Sequence, residues 1–407
     1  GKVDVFYGAI DGGQGLETSI AQMVAEELDV PLSSIRMIMG DTRRTLNMGG
    51  ASGAQGVSRR GTSLMKAAAL ARQILIEDAA RQFKVQPADL IVKDGVISMR
   101  SNPAKRITYG QIIGGKPFQK NVRWNGQWGN PHDIATDAPL KNYQDYKIIG
   151  QSPRRIDLPK KVFGEQDFPG DVRLPGMLHA RMIRPSVAGS VPVSVDENSI
   201  RHIPGARVVH IKDFLAVVAP KEWNAVRALR ALNVTWSASE PNFPTHQDVH
   251  AHIRKAKVTQ RTIERENGKL EEGLAKAARV ITGEYEYPTH SHASMGPGCA
   301  VADVRADGAT IYTSTQKPHY AADGIADLLN MPRDNVHVVW MFGTGSYGRN
   351  DQGDATADAA VLSQALGKPV RVQWMREESL GWDPKGTASV NFCQAGIDEK
   401  GEVIAYE

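Results

Sequence analysis

Three glycine-rich turns, each between an extended run and a helical one, constrain this chain more than any other feature. Gly12-Gly13-Gln14-Gly15 follows an extended run over residues 2–9 and precedes a helical pattern over about 18–28. Gly49-Gly50-Ala51-Ser52-Gly53-Ala54-Gln55-Gly56 stands ahead of an Ala-rich helical stretch over about 62–83. Gly343-Thr344-Gly345-Ser346-Tyr347-Gly348 follows a strand-like run at 336–340 and precedes a helix over about 355–366. Strand and helix alternate, which predicts an α/β or α+β fold.

The segments between these turns give the domain outline. Residues 102–146 are rich in Gly, Pro, Asn and Trp without periodicity, and read as a linker or surface excursion. A second unit, from about 150 to 239, has short β-like pieces at 178–183, 191–195, 207–211 and 215–218, then an amphipathic helix near 222–231. That is the pattern of a small α+β domain. A third unit starts near 270 and alternates strand and helix again. We therefore expect three segments, 1–145, 146–245 and 246–407.

At 407 residues, 41% of them hydrophobic, the chain is too long for one ordinary domain. A net charge of +4 without a long run of one sign gives no indication of a nucleic-acid partner. Cys299 and Cys393 stand far apart, so neither a disulfide framework nor a zinc or iron-sulfur site can be built from them. No apolar run approaches the ~20 residues of a membrane helix. The chain opens on Gly1 and stops just after a hairpin-like Asp398-Glu399-Lys400-Gly401, so we expect the natural chain to extend beyond both ends.

Glycines let backbone amides approach a ligand, and the helix start after the first turn favours an anion such as phosphate. Gln14 offers two donors and an acceptor on one planar group, which suits the edge of a heterocycle. A tight turn capped by Gln accounts for the same residues equally well, and a surface loop accounts for the second stretch. The third turn formally matches Gly-x-Gly-x-x-Gly, a weak signal alone. It keeps open a nicotinamide-dependent dehydrogenase, although no acidic residue ends the next strand at the usual distance. His246, His250 and His252 have helical spacing but no nearby carboxylate beyond Asp248 and no cysteine, so a solvated face is favoured over a metal site. His290 and His292 alternate on an extended run, which favours core or loop roles.

In this order, the segments resemble the molybdenum-binding large subunits of the xanthine oxidase and aldehyde oxidase family. The similarity is to the branch of isoquinoline oxidoreductase and nicotinate dehydrogenase type, in which the Gly-Gln-Gly segment precedes the small hammerhead domain. It runs through Ala25-Glu26-Glu27-Leu28, Gly40-Asp41-Thr42, Lys161-Val162-Phe163-Gly164, the 171–178 segment, Arg184-Pro185, Met295-Gly296-Pro297-Gly298-Cys299-Ala300, Thr313-Ser314-Thr315-Gln316, the 343–349 loop and the 370–377 segment. The resemblance implies an α+β fold of molybdenum-cofactor-binding domains with an inserted α/β hammerhead domain.

It also implies roles. Gln316 would donate to the apical oxo ligand of molybdenum, and Gly345, Ser346, Tyr347, Gly348 and Arg349 would bring backbone and Tyr347 against the metal. Gly13, Gln14, Gly15, Ser52, Gly53 and Gln55 would hold the pterin and its phosphate. Molybdenum itself would be held through the pterin, with no protein ligand. Asp351 falls where the family carries a substrate-binding glutamate, and Lys385 near its substrate-binding arginine.

Two motifs depart from the pattern. The usual Gly-Gly-Gly-Phe-Gly reads Thr344-Gly345-Ser346-Tyr347-Gly348, and Met-Glu-Pro has become Met295-Gly296-Pro297. Nothing matches the family's Gly-x-Gly-Glu segment, so no general base is identified.

By the resemblance the chain carries a molybdenum cofactor, of the pterin cytosine dinucleotide kind, and oxidises an N-heteroaromatic or aldehyde carbon with oxygen from water. Electrons would pass to a separate small iron-sulfur subunit, since this chain cannot ligate a cluster. A cytochrome c subunit is the acceptor this branch often uses next. The nicotinamide enzyme and a non-catalytic scaffold stay open as alternatives.

Overall fold

The computed structural model describes residues 2–115, 120–240, 243–350 and 352–407. In the first part of the chain, strands Val3–Tyr7 and Ile35–Met39 pair in parallel. A parallel pair needs a crossover, and the helix Leu16–Leu28 provides it. That helix places Ile20, Ala21, Val24, Ala25 and Leu28 on its buried side. It ends at Asp29, whose left-handed φ of 51° stops the turn while its amide bonds back to Ala25 and Glu26.

A π-helical run, Gly56–Gly61, leads into the long helix Thr62–Phe83, which packs across the first helix. Two of its glycines are there for contact. A Cβ at Gly56 would lie 2.6 Å from Leu16, and one at Gly61 2.6 Å from the Met23 sulfur. The antiparallel strands Leu90–Lys93, Val96–Met99 and Arg106–Thr108 close this core around Ile97 and Tyr109.

The described residues of the 102–146 stretch, expected to be a linker, are tied into the body. Beyond the strand Arg106–Thr108 and the capped helix Tyr109–Ile113, Asp133 accepts from Lys66 and Ser63, and Lys141 from this segment reaches Glu26 and Asp29. Fully buried Glu26 then accepts the amides of Lys147, Ile148 and Ile149. Ion pairs and caps order this stretch where apolar periodicity does not.

One seven-stranded mixed sheet carries the rest. Its order is Arg207–Ile211, Phe214–Ala219, Leu178–Met182, Val370–Gln373, Cys299–Arg305, Gly308–Thr313 and Val336–Trp340. Three strands of the middle segment thus continue, through the parallel pairing of Leu178–Met182 with Val370–Gln373, into the strands of the last third. Helix Gln352–Leu366 lies over Cys299–Arg305 and Val370–Gln373, and Pro318–Leu329 over Val336–Trp340. Ala300, Ala302, Ile311, Val338, Leu362 and Trp374 fill the core between them.

A buried ionic knot fastens the middle segment to the last third. Arg184 lies over the rings of Trp374 and Trp382, 4.8 and 5.3 Å from their centroids. Its guanidinium bonds Asp358 at 2.7 Å, which also accepts the Trp374 indole at 2.9 Å. Glu378 lies 3.9 Å from Arg184 Nε and accepts the Met375 amide through its other oxygen. Burial pushes the Asp358 carboxyl up to about 6 and that of Glu378 up to about 7, the neighbouring Arg184 opposing both.

Candidate cofactor site

The first glycine turn does not offer the anion seat its sequence suggests. Asp11, 1% exposed, turns its carboxylate back into the turn and accepts the amides of Gly13, Gly15 and Glu17 at 2.8, 3.2 and 3.0 Å. The donors at this helix start are therefore already bound to a negative group, which also repels a phosphate. What remains free is the outer edge of the turn. Gln14 is exposed, and a Cβ at Gly12 would sit 3.2 Å from its Oε1 and 3.7 Å from Ser346 Oγ. The first turn thus meets the third loop.

The second glycine stretch is the better anion seat. Its helix begins after Gln55, which makes no side-chain cap, so the helix start keeps its positive end uncompensated. Behind it stands Arg60, 2% exposed, which sequence reasoning missed. Its guanidinium donates to Met48 O at 2.6 Å, Gly50 O at 2.5 Å and Asn130 Oδ1 at 2.8 Å, all neutral acceptors. Asn130 also takes the Gly50 amide at 3.1 Å and donates to Ser52 Oγ at 3.3 Å. Gly49 is required here, because it has φ of 83° and a Cβ would lie 1.9 Å from Asn130 Oδ1. A buried Arg between the glycine stretch and the helical run, and an Asn in a stretch read as linker, give no motif to notice.

Gln316 joins the N-terminal loops to the last third. Its carbonyl accepts the Ala51 amide at 2.9 Å. Its side chain donates from Nε2 to Gly348 O at 3.1 Å and accepts the Asn350 amide at 3.1 Å. The amide expected to face an oxo group is thus engaged with the third loop, and a ligand must compete with Gly348 for it. In that loop Tyr347 is 63% exposed with φ of 48°, and Gly345 and Gly348 have φ of 100° and 122°. The helix after the loop is Gln352–Leu366 and residues 348–350 are not helical, so Gly348 lies outside it, unlike the third glycine of a dinucleotide fold.

These loops enclose a groove of about 300 Å³ lined by Gly12, Gln14, Ala51 to Gly56, Arg60, Gln316, Ser346 and Gly348. A second lobe of about 270 Å³ shares Ala51, Ser52, Gln316 and Gly348 and adds Lys317, Arg349 and Asn350. A larger cleft beside Met37, Trp340 and Phe342 includes none of the glycine-turn residues. The chemistry of the groove fits a flat, hydrogen-bonding heterocycle bearing a phosphate. Gln55 Oε1 is buried without a partner, leaving an acceptor for a ligand N–H. Arg60 and the uncapped helix start favour an anion.

Other expected residues fall elsewhere. The Lys385 ammonium is bound by the Asp383 carboxylate and by Leu380 O. Asp351 lies outside the described residues. His250 donates from Nε2 to Tyr287 O and faces Glu286, and among the described residues no group of three His, Cys, Asp or Glu side chains is placed to hold a metal ion. No helix among them is long and apolar enough to cross a membrane. The Cys299 thiol is pushed up to about 12 by burial, which makes it inert.

Comparison with known proteins agrees with this geometry. Two family models, both described as a molybdopterin cofactor-binding domain, match residues 1–147 and 249–407. Over its whole length the chain is 38% identical to one of the subunits of nicotinate dehydrogenase from Pseudomonas putida, covering 34% of that protein. Over 99% of its length it is 29% identical to the beta subunit of isoquinoline 1-oxidoreductase from Brevundimonas diminuta, covering 56% of it. The chain therefore spans about a third of the first relative and just over half of the second. Its fold is also similar to that of quinoline 2-oxidoreductase from Pseudomonas putida 86, with a TM-score of 0.51 at 19% identity over 64% of this chain and 39% of that one. The N-terminal and C-terminal parts that converge on the groove are the two parts these family models match, and the chain belongs to the xanthine oxidase family of molybdenum-cofactor-binding subunits, in its permuted branch.

Proposed function

We propose that this chain is the cofactor-binding part of a molybdenum hydroxylase that oxidises a ring carbon of an N-heteroaromatic compound with oxygen from water. An aldehyde carbon is the alternative substrate class. The observation that carries this reading is the groove itself, in which an orphan acceptor, a buried cation held only by neutral oxygens and an uncapped helix start converge. The names of the relatives at 38% and 29% identity, a nicotinate dehydrogenase and an isoquinoline oxidoreductase, favour N-heteroaromatic substrates.

Residues 1–145 and 246–407 form the cofactor-binding segments in this reading, with 146–245 as the hammerhead domain. Gly13, Gln14, Gly15, Ser52, Gly53 and Gln55 hold the pterin. Arg60 and the helix start after Gln55 hold its phosphate, consistent with a cytosine dinucleotide form. The bound group supplies the redox chemistry. Gln316 sets the position of the Gly348 peptide, and its amide can exchange that carbonyl for a ligand oxygen of similar geometry. The 345–349 backbone walls the groove against water. Asp351 and Lys385 are assigned to substrate contact, Lys385 after release from Asp383. Electrons leave to a separate iron-sulfur subunit and from there to a cytochrome c subunit; the two cysteines of residues 1–407 cannot by themselves hold a four-cysteine cluster.

The test is to purify the chain with its native partners and assay N-heterocycles and aldehydes in ¹⁸O-labelled water with a dye acceptor. One labelled oxygen in a hydroxylated N-heterocycle is expected. Turnover that takes its oxygen from O₂, or that requires NAD, overturns the reading.

A further inference from the structure

The 343–350 loop is held on one side by Gln316, and a second segment clamps its other side. Near one end, Thr344 Oγ1 donates to Gly296 O at 2.8 Å, and a Cβ at Gly296 would lie 2.7 Å from Thr344 Cγ2. Near the other, His292 Nδ1 lies 3.2 Å from Tyr347 O, and a Cβ at Gly348 would lie 2.7 Å from the same nitrogen. The imidazole is thus packed against the one step of the loop where two successive residues, Tyr347 and Gly348, have positive φ. For Tyr347 this conformation is unfavourable by itself, so a neighbouring group must hold it.

The segment carrying His292 is itself anchored. Ser291 Oγ donates to the buried Asp383 carboxylate at 2.7 Å, and the His292 amide lies 3.4 Å from the same oxygen. The His290 and Gly386 backbones exchange bonds at 3.3 and 2.8 Å. Arg376 donates to Ser294 O and Met295 O at 2.9 and 2.6 Å. A pinned strap that contacts the loop at both ends, and at the strained step, transmits its own rigidity to that step.

We propose that residues 290–297 form a positioning strap for the cofactor-facing loop, and that His292 is the positioning residue that fixes its Tyr347–Gly348 step. This rests on the reading that the loop faces a molybdenum cofactor. A carbonyl can only accept, so His292 Nδ1 carries the hydrogen, and in the neutral ring Nε2 is left as a bare acceptor. The role belongs to the donor at Nδ1. An Asn amide nitrogen falls at nearly the same point, so Asn replaces it and Ala does not.

The test has two arms. In the chain as purified, free of cofactor, hydrogen–deuterium exchange is followed at the amides of 344–350 in wild type, His292→Ala and His292→Asn. Losing one hydrogen bond should speed exchange about three- to tenfold in the Ala variant, with Asn close to wild type. Thr344→Val, which removes the hydroxyl at the other end, should speed exchange similarly and serves if the Ala variant does not fold. In the complex with its partners, molybdenum per chain is measured by mass spectrometry. About tenfold less is expected to survive gel filtration in His292→Ala, again with recovery in Asn.

Unchanged exchange in the Ala and Val variants overturns the strap, and so does an Asn variant no better than Ala. Faster exchange with full molybdenum retention overturns the positioning role. If wild type holds no molybdenum while exchange still responds, the proposed function falls and the strap stands as a clamp of the loop.

Discussion

Replacing Glu378 by Gln should change how stability depends on pH, by an amount the ionic knot around Arg184 sets. Glu378 is 8% exposed, and burial pushes its carboxyl up to about 7 from an ordinary 4.5. A carboxyl whose folded value is raised favours folding only while protonated. Its contribution is therefore lost as pH rises from about 4.5 through about 7, and is constant above. Each unit is worth about 1.4 kcal/mol, so the loss approaches ~3 kcal/mol by pH 8. Gln keeps an oxygen for the Met375 amide and carries no charge to bury. Other buried groups titrate nearby, including His319, held down to about 4 by burial. They are common to both proteins and cancel when the variant is compared with wild type at each pH, except Asp358, which shares Arg184 with Glu378; removing the Glu378 charge eases ionisation of Asp358 and so adds to the difference in the same direction. Urea unfolding at pH 5 and pH 8 gives the comparison. The stability of Glu378→Gln relative to wild type should rise by ~2–3 kcal/mol between the two. An equal difference at both pH values would refute the reasoning and place the ionised carboxylate as a satisfied partner of Arg184.

Three further outcomes follow from the groove. Gln316→Ala should lower turnover about ten- to a hundredfold while most molybdenum stays bound, and wild-type rates would remove Gln316 from the site. Gly348→Val should give folded protein without cofactor, because its Cβ meets the His292 ring and its φ of 122° is closed to a β-branched residue; full molybdenum occupancy would contradict this. Arg60→Met keeps most of the volume but removes the cation, and a charge-assisted bond of ~1.5–3 kcal/mol implies cofactor retention about ten- to a hundredfold lower. Retention equal to wild type in Arg60→Met would move the phosphate elsewhere.

Local pattern made several elements legible. The helices Thr62–Phe83 and Glu222–Ala231 and the strand Val336–Trp340 lie where periodicity predicts them. The register joining Leu178–Met182 to Val370–Gln373 was not legible, because no local signal encodes which strands meet across nearly two hundred residues. At the site, the glycine turns are legible in the sequence, but the charge at the first helix start is not. Asp11, an Asx residue just before two glycines, is a turn-capping signal that reverses the charge logic of the first helix start. Arg60 and Asn130 needed the fold to bring them together.

The two departures from the family pattern prove to be neighbours. Thr344 occupies the space a Cβ on residue 296 would need, so the Thr in the loop and the Gly in Met295-Gly296-Pro297 suit each other. Sequence reading saw only a lost carboxylate.

In the proposed function, the groove between the Gly12–Gly15 turn, the Gly49–Gly56 stretch and Gln316 holds a molybdenum cofactor. Metal and pterin analysis of the protein purified with its native partners tests it most directly. One molybdenum per chain is expected, with a pterin cytosine dinucleotide released on denaturation and both lost together in Gly348→Val. Metal-free wild-type protein with no pterin would contradict it.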